Sequence, residues 1–184
     1  MSRKQMEINF FGPLFTIQAV LPSMRKRRSG TIINLTSASG QFSVPSGALY
    51  SASKFALEGA TEGLLAETAE FGITSLIVQP GAFRTNFFGG MISGGELDED
   101  YKNGSVGRTL AAFDKAHGTQ SGDPVKAAER IVELVTGEGI GGKLKGKVLR
   151  VLLGPDCYKV LDGKTQEFRD DVLLSEEVAH STDY

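Results

Sequence analysis

Two short β-branched runs flanking one long helical stretch constrain this chain more than any other feature. Residues 31–36 (TIINLT) follow Ser29-Gly30, and residues 73–79 (ITSLIVQ) stop at Pro80-Gly81. Both are apolar without strict alternation, the pattern of strands buried on both faces of a parallel sheet. Between them, residues 48–71 are rich in Ala, Leu and Glu and read as one helix closed by Gly72 as C-cap. Strand, helix and strand with short connections make a βαβ unit, expected to be right-handed.

The remaining segments extend that plan. Residues 2 to about 24 place Met6, Phe10, Leu14, Ile17, Leu21 and Met24 near one helical stripe. Asp123 as N-cap and Pro124 at the first helical position open a helix that runs to Thr136 and ends at Gly137. Residues 147–153 (KVLRVLL) read as a third strand, and 156–178 as a terminal amphipathic helix within a 156–184 tail. Residues 86–122, with weak helical stretches around 97–117, form an insertion expected to act as a substrate-binding loop or lid. No internal repeat or second domain is visible, so residues 1–184 are read as one α/β domain.

Composition narrows the function classes. Twenty Lys and Arg against 22 Asp and Glu leave a net charge of −2, which offers no field for nucleic acid or an anionic membrane. Gly is 23 of 184 residues, so many tight turns are expected, as around an enzyme crevice. The single Cys157 cannot form an internal disulfide and reads as a packing residue, which places the chain in a reducing, cytoplasmic setting. The apolar stretch 6–24 is interrupted by Glu7, Asn9, Gly12, Pro13 and Pro22, and so is not a clean membrane span. It ends in Arg25-Lys26-Arg27-Arg28, read as a solvated helix end whose cations suit the helix dipole. His117 and His180 are distant in sequence and no cluster has metal-ligand spacing, so no metal site is expected.

In open α/β sheets ligands bind outside the carboxyl ends of the strands, here Thr36-Ser37 and Pro80-Gly81. Tyr50 and Lys54, spaced i,i+4 near the start of the intervening helix, share one helix face. An ammonium beside a phenol favours the phenolate, which predicts a lowered Tyr50 pKa and proton exchange with an alcohol or ketone. Ser37 could bond the same substrate oxygen. A Tyr-x-x-x-Lys pair arises by chance about 0.24 times in such a chain, and a serine at the right offset lowers this to about 0.02. Asn9 precedes Pro13 by four residues, and Pro has no N–H, so the Asn9 carbonyl loses its helical partner and becomes a natural water site. Phe10, Phe11, Phe87 and Phe88 read as core or as an apolar substrate wall, the last two evenly balanced.

These residues resemble the short-chain dehydrogenase/reductase family over Gly30 to Phe87. The carrying segments are Asn34-Leu35-Thr36-Ser37-Ala38-Ser39-Gly40, Tyr50-Ser51-Ala52-Ser53-Lys54 and Pro80-Gly81-Ala82-Phe83-Arg84-Thr85, with Asn9-Phe10-Phe11-Gly12 upstream. The resemblance implies hydride transfer between NADP or NAD and a ketone, aldehyde or alcohol. It implies Tyr50 as general acid/base, Lys54 on the nicotinamide ribose, Ser37 orienting the carbonyl, and Asn9 anchoring a water in a relay to Lys54. Pro80, Gly81, Phe83 and Thr85 would contact the nicotinamide end. It further implies a homo-oligomer through helices 2–24 and 48–71. The Leu153-Gly154-Pro155-Asp156 segment resembles a subgroup acting on ketones and secondary alcohols.

The family's first strands and its glycine-rich turn have no counterpart in these residues. The expected fold is therefore the C-terminal part of a Rossmann-like doubly wound parallel sheet. Gly137-x-Gly139-x-x-Gly142 matches the dinucleotide string but follows a helix rather than a strand, and reads as a flexible turn. The isolated chain is expected to fold marginally and to bind nicotinamide cofactor poorly. The competing expectation is a truncated, non-catalytic family member that acts as a dimerisation or regulatory partner.

Overall fold

The computed structural model describes residues 2–91 and 95–184. Three parallel strands form one sheet in the order β1 (Gly30–Leu35), β2 (Ile73–Pro80), β3 (Arg150–Leu153). Gly30 lies opposite Ile73 and Leu35 opposite Val78, while Ile77 faces Arg150 and Pro80 faces Leu153. The third strand is shorter than the expected 147–153. The preceding turn takes the backbone of Lys147, whose N–H donates to the Leu144 carbonyl at 3.0 Å.

The N-terminal helix is divided rather than continuous: α1 (Ser2–Met6), a π-helical turn (Glu7–Phe11) and α2 (Gly12–Arg27). Pro13 is the physical reason. It cannot donate to the Asn9 carbonyl, and the turn widens so that the Gly12 N–H reaches the Glu7 carbonyl. The helix then runs through Pro22 and ends with Arg28 in the left-handed region at φ 55°. Arg28 is not merely solvated. It donates to the Glu70 carbonyl at 3.0 Å and lies 5.1 Å from the Phe71 ring centroid, tying α2 to the end of the next helix.

That next helix is α3 (Ala48–Thr68), continued by a 3₁₀ turn (Ala69–Phe71). It closes at Gly72, whose φ of +67° and close approach to the Arg28 carbonyl leave no room for a side chain. The insertion is largely helical, with α4 (Glu99–Lys102) and α5 (Ser105–Ala116). Residues 92–94 of the expected lid lie outside the described residues. In α6 (Pro124–Thr136), Asp123 caps the Val125 N–H at 2.9 Å, and Gly137 ends the helix at φ +88°, as its sequence predicts.

The glycine string after α6 is not a flexible turn. It forms α7 (Gly139–Gly142), docked on α6 by the Gly141 N–H donating to Glu133 Oε2 at 2.8 Å. The terminal helix divides at Ser175 into α8 (Pro155–Leu174) and α9 (Glu176–His180). Among the described residues, no helix is long and apolar enough to cross a membrane.

Helices cover both faces of the sheet. Leu76, Val78, Val151 and Leu153 pack against Leu134 of α6. On the opposite face Ile32 and Ile73 pack with Ile17 of α2 and Leu64 of α3. Among the described residues β1 pairs on one side only, and a cavity of about 630 Å³ opens between it and α2.

Candidate active site

The carboxyl end of β1 delivers the first site residue. The Thr36 N–H still donates to the Val78 carbonyl at 2.8 Å, so Ser37 is the first residue beyond the ladder. Its extended backbone starts a 3₁₀ turn (Ala38–Gly40), and its hydroxyl oxygen accepts the Ser39 N–H at 3.1 Å. Tyr50 stands in the first turn of α3, half-buried, with its side chain hydrogen-bonded to Ser37. One turn on, Lys54 donates to the Leu35 carbonyl at 3.0 Å, its Nζ 5.8 Å from the Tyr50 ring centroid. Asn9 joins from the π-helical turn: its Nδ2 donates to Ser53 Oγ at 3.1 Å, and Ser53 donates to the Tyr50 carbonyl at 2.6 Å. Asn9 and Lys54 border the same cavity beside β1. All four residues picked from the sequence therefore meet around the start of α3.

The electrostatics differ from the expectation of a lowered Tyr50 pKa. Burial raises it from 10.0, and the Ser37 hydrogen bond only partly offsets that rise. Burial of the phenol outweighs the help expected from Lys54, whose Nζ is anchored on the Leu35 carbonyl to one side of the ring. Burial also lowers the Lys54 pKa from 10.5. In this chain Tyr50 is thus held as the protonated phenol.

The second strand end supplies a rigid turn. Pro80 closes the β2–β3 ladder opposite Leu153, and the Gly81 N–H donates to the Leu153 carbonyl at 2.8 Å. The Ala82 N–H donates to Asp156 Oδ2 at 2.6 Å, and a side chain on Gly81 would collide with that carboxylate. Phe83 packs against the Leu76–Leu153 cluster, and its carbonyl accepts the Thr85 N–H at 2.8 Å. Thr85 Oγ1 accepts the Phe87 N–H at 3.3 Å and so shapes the turn that presents Phe87 and Phe88.

Beneath these loops lies Glu58, 1% exposed. Its carboxylate accepts from Thr36 Oγ1 at 2.9 Å, Gln79 Nε2 at 2.8 Å and Arg150 Nε at 3.1 Å, and from Gln41 Nε2. One side chain thereby fixes the carboxyl end of β1, the Ser37 turn, the end of β2 and the start of β3. Sequence reasoning does not reach Glu58 or Asp156. The only signal for Glu58 is its i,i+4 spacing from Lys54, which puts an acid on the face shared by Tyr50 and Lys54. For Asp156 it is an acid in the first turn of a proline-led helix, a generic dipole preference.

A strand-end serine beside a tyrosine and lysine on the following helix is a geometry that known proteins can be compared against. Residues 2–93 match the family described as short chain dehydrogenase, and the chain belongs to that family. It is 33% identical over 178 residues to an oxidoreductase of Botryotinia fuckeliana, covering 93% of this chain and 62% of that protein. A short-chain dehydrogenase structure from Streptomyces avermitilis superposes with a TM-score of 0.83 at 38% identity, over 99% of this chain and 63% of that one. A short chain dehydrogenase of Burkholderia cenocepacia, solved in complex with NADP, shares the fold with a TM-score of 0.59 at 24% identity, over 96% and 58% of the two chains. The chain thus spans less than two thirds of the length of these relatives.

Proposed function

We propose that this chain carries the reacting end of an NAD(P)-dependent oxidoreductase that interconverts a ketone or aldehyde with an alcohol, with Tyr50 as general acid/base. The observation that carries this reading is the meeting of Ser37, at a strand end, with Tyr50 and an anchored Lys54 on the helix that follows. The residues present fit a nicotinamide cofactor. Lys54 keeps N–H donors beyond the one given to Leu35, and with Asn9 it borders the open cavity beside β1. Lys54 would hold the ribose, and Pro80, Gly81, the Phe83 backbone and Thr85 the nicotinamide end. NADP and NAD both suit these residues. When bound, the nicotinamide supplies or accepts the hydride.

The chain's own residues handle the proton. In reduction, Ser37 donates a hydrogen bond to the carbonyl oxygen and Tyr50 passes its hydroxyl proton to the same atom as the alcohol forms. Burial pushes the Tyr50 pKa up, which suits this acid role. Asn9 would hold a water in the cavity it shares with Lys54, returning a proton toward Tyr50. The reading includes self-association through α1–α2 and α3, where Ile8, Phe15 and Phe55 remain exposed. Sedimentation equilibrium should then give a mass of two or more chains.

The decisive test is Tyr50→Phe in a nicotinamide-coupled assay with a panel of ketones. Turnover should fall by about a hundredfold or more while the circular dichroism spectrum and melt are retained. Full activity in that variant overturns the assignment.

A further inference from the structure

We infer that this site takes apolar, ring-bearing carbonyl compounds or alcohols and that Phe87 sets that preference. The inference rests on Tyr50 acting on the substrate oxygen. Four aromatic rings run in sequence from that residue. Tyr50 meets Phe87 edge to face, with centroids 5.6 Å apart and planes at 60°. Phe87 meets Phe88 in the same manner at 5.6 Å and 65°, and Phe88 stacks on Phe113 at 5.2 Å and 17°. The rings come from α3, the turn after β2, and α5, so a segment 63 residues beyond Tyr50 completes the wall.

The turn that presents the two central rings is built for the purpose. Thr85 Oγ1 accepts the Phe87 N–H at 3.3 Å, and the Gly90 N–H closes the turn on the Asn86 carbonyl at 2.9 Å. Although it touches Tyr50, Phe87 keeps 50% of its surface exposed, whereas Phe88 and Phe113 are half-buried behind it. A hydrophobic surface is thus left open directly beside the group that acts on the substrate oxygen.

A carboxylate or phosphate laid against those ring faces would lose its water and gain no donor. A planar apolar ring, by contrast, can stack or meet Phe87 edge to face at the separations the four rings already use. With its carbonyl oxygen at Tyr50 and its ring on Phe87, an aryl or cyclic ketone satisfies both ends of the site.

The test uses acetophenone, acetone and pyruvate as matched probes on the native chain, Phe87→Ala and Phe87→Leu. Turnover is followed with reduced nicotinamide, and binding by saturation-transfer NMR without it. Acetophenone should exceed the other two in kcat/KM by about tenfold or more. Phe87→Ala should cut the acetophenone-to-acetone ratio by about five- to tenfold, with Phe87→Leu intermediate, and should weaken the acetophenone NMR signal in parallel. Pyruvate or acetone used or bound as well as acetophenone, or a ratio unchanged in Phe87→Ala, overturns the inference. If turnover survives in Tyr50→Phe while acetophenone binding is lost in Phe87→Ala, the acid/base reading falls and the ligand class stands. Absence of both turnover and binding sinks both.

Discussion

The Asp156 carboxylate accepts the Ala82 N–H at 2.6 Å across 74 residues of sequence, so the first turn of α8 holds the turn that ends β2. The same carboxylate occupies the space a Gly81 side chain would take. Asp156→Ala removes the acceptor and should cost about 1 kcal/mol of stability, since the group is exposed and its bond is screened. Asp156→Asn keeps an oxygen acceptor and should lose less. Urea unfolding of the two variants checks the order, and an equal loss in both would mean that charge, not the bond to Ala82, is what matters.

Glu58 makes a larger demand on the fold. Its buried carboxylate takes Arg150 and three neutral donors, so Glu58→Ala leaves Arg150 to Glu62 alone and takes an acceptor from the side chains of Thr36, Gln41 and Gln79. Removing that shared acceptor costs about 3 kcal/mol, at about 1–3 kcal/mol for each buried donor left unpaired. For a chain of this size the melting temperature should fall by roughly 10 °C. Glu58→Gln, which keeps the shape and an oxygen acceptor, should fall less. A melt of Glu58→Ala within a degree or two of native would show that the cluster does not hold the strand ends together.

The contrast between these residues and those legible in the sequence has a physical cause. Gly72, Asp123 and Gly137 are identified by their immediate neighbours, because helix caps are local geometry. Tyr50 and Lys54 are legible because one helix face carries both, and Ser37 because it ends a strand. Glu58 reaches Arg150 across 92 residues and Asp156 reaches Ala82 across 74, and only the sheet order brings those partners together. The expected lowering of the Tyr50 pKa fails for a related reason. Spacing puts Lys54 on the right face, but the burial that raises the phenol comes from other elements, among them Phe87 of the turn after β2.

Removing the Ser37 hydroxyl should move Tyr50 in one direction. Burial raises the Tyr50 pKa above 10.0 and the Ser37 hydrogen bond holds it down, so Ser37→Ala should raise it further. Alcohol oxidation, which needs the phenolate, should then require higher pH in Ser37→Ala than in the native chain. Ketone reduction, which uses the phenol, should stay flat through neutral pH and decline only as the raised value is passed. Tyrosinate absorbance of each protein, differenced against its Tyr50→Phe counterpart, isolates this residue from the other three tyrosines. A midpoint that stays or drops in Ser37→Ala refutes the assigned hydrogen bond.

Cys157, one residue beyond Asp156, reports on the same corner of the fold. Its side chain is buried and its Sγ donates to the Gln79 carbonyl at 3.1 Å. Burial, with the Asp156 charge beside it, pushes the thiol from 9.0 up to about 11. Two units of pKa reduce the thiolate fraction at pH 8 by about a hundredfold, and the thiolate is the reactive form. The native chain should therefore resist maleimide over hours at that pH and take up one equivalent rapidly in urea, read by intact mass. Asp156→Ala should speed native labelling, because it removes the negative charge that disfavours the thiolate and frees the first turn of α8 from the β2 turn. Labelling of Asp156→Ala at the native rate would mean that α8 stays seated without its bond to Ala82.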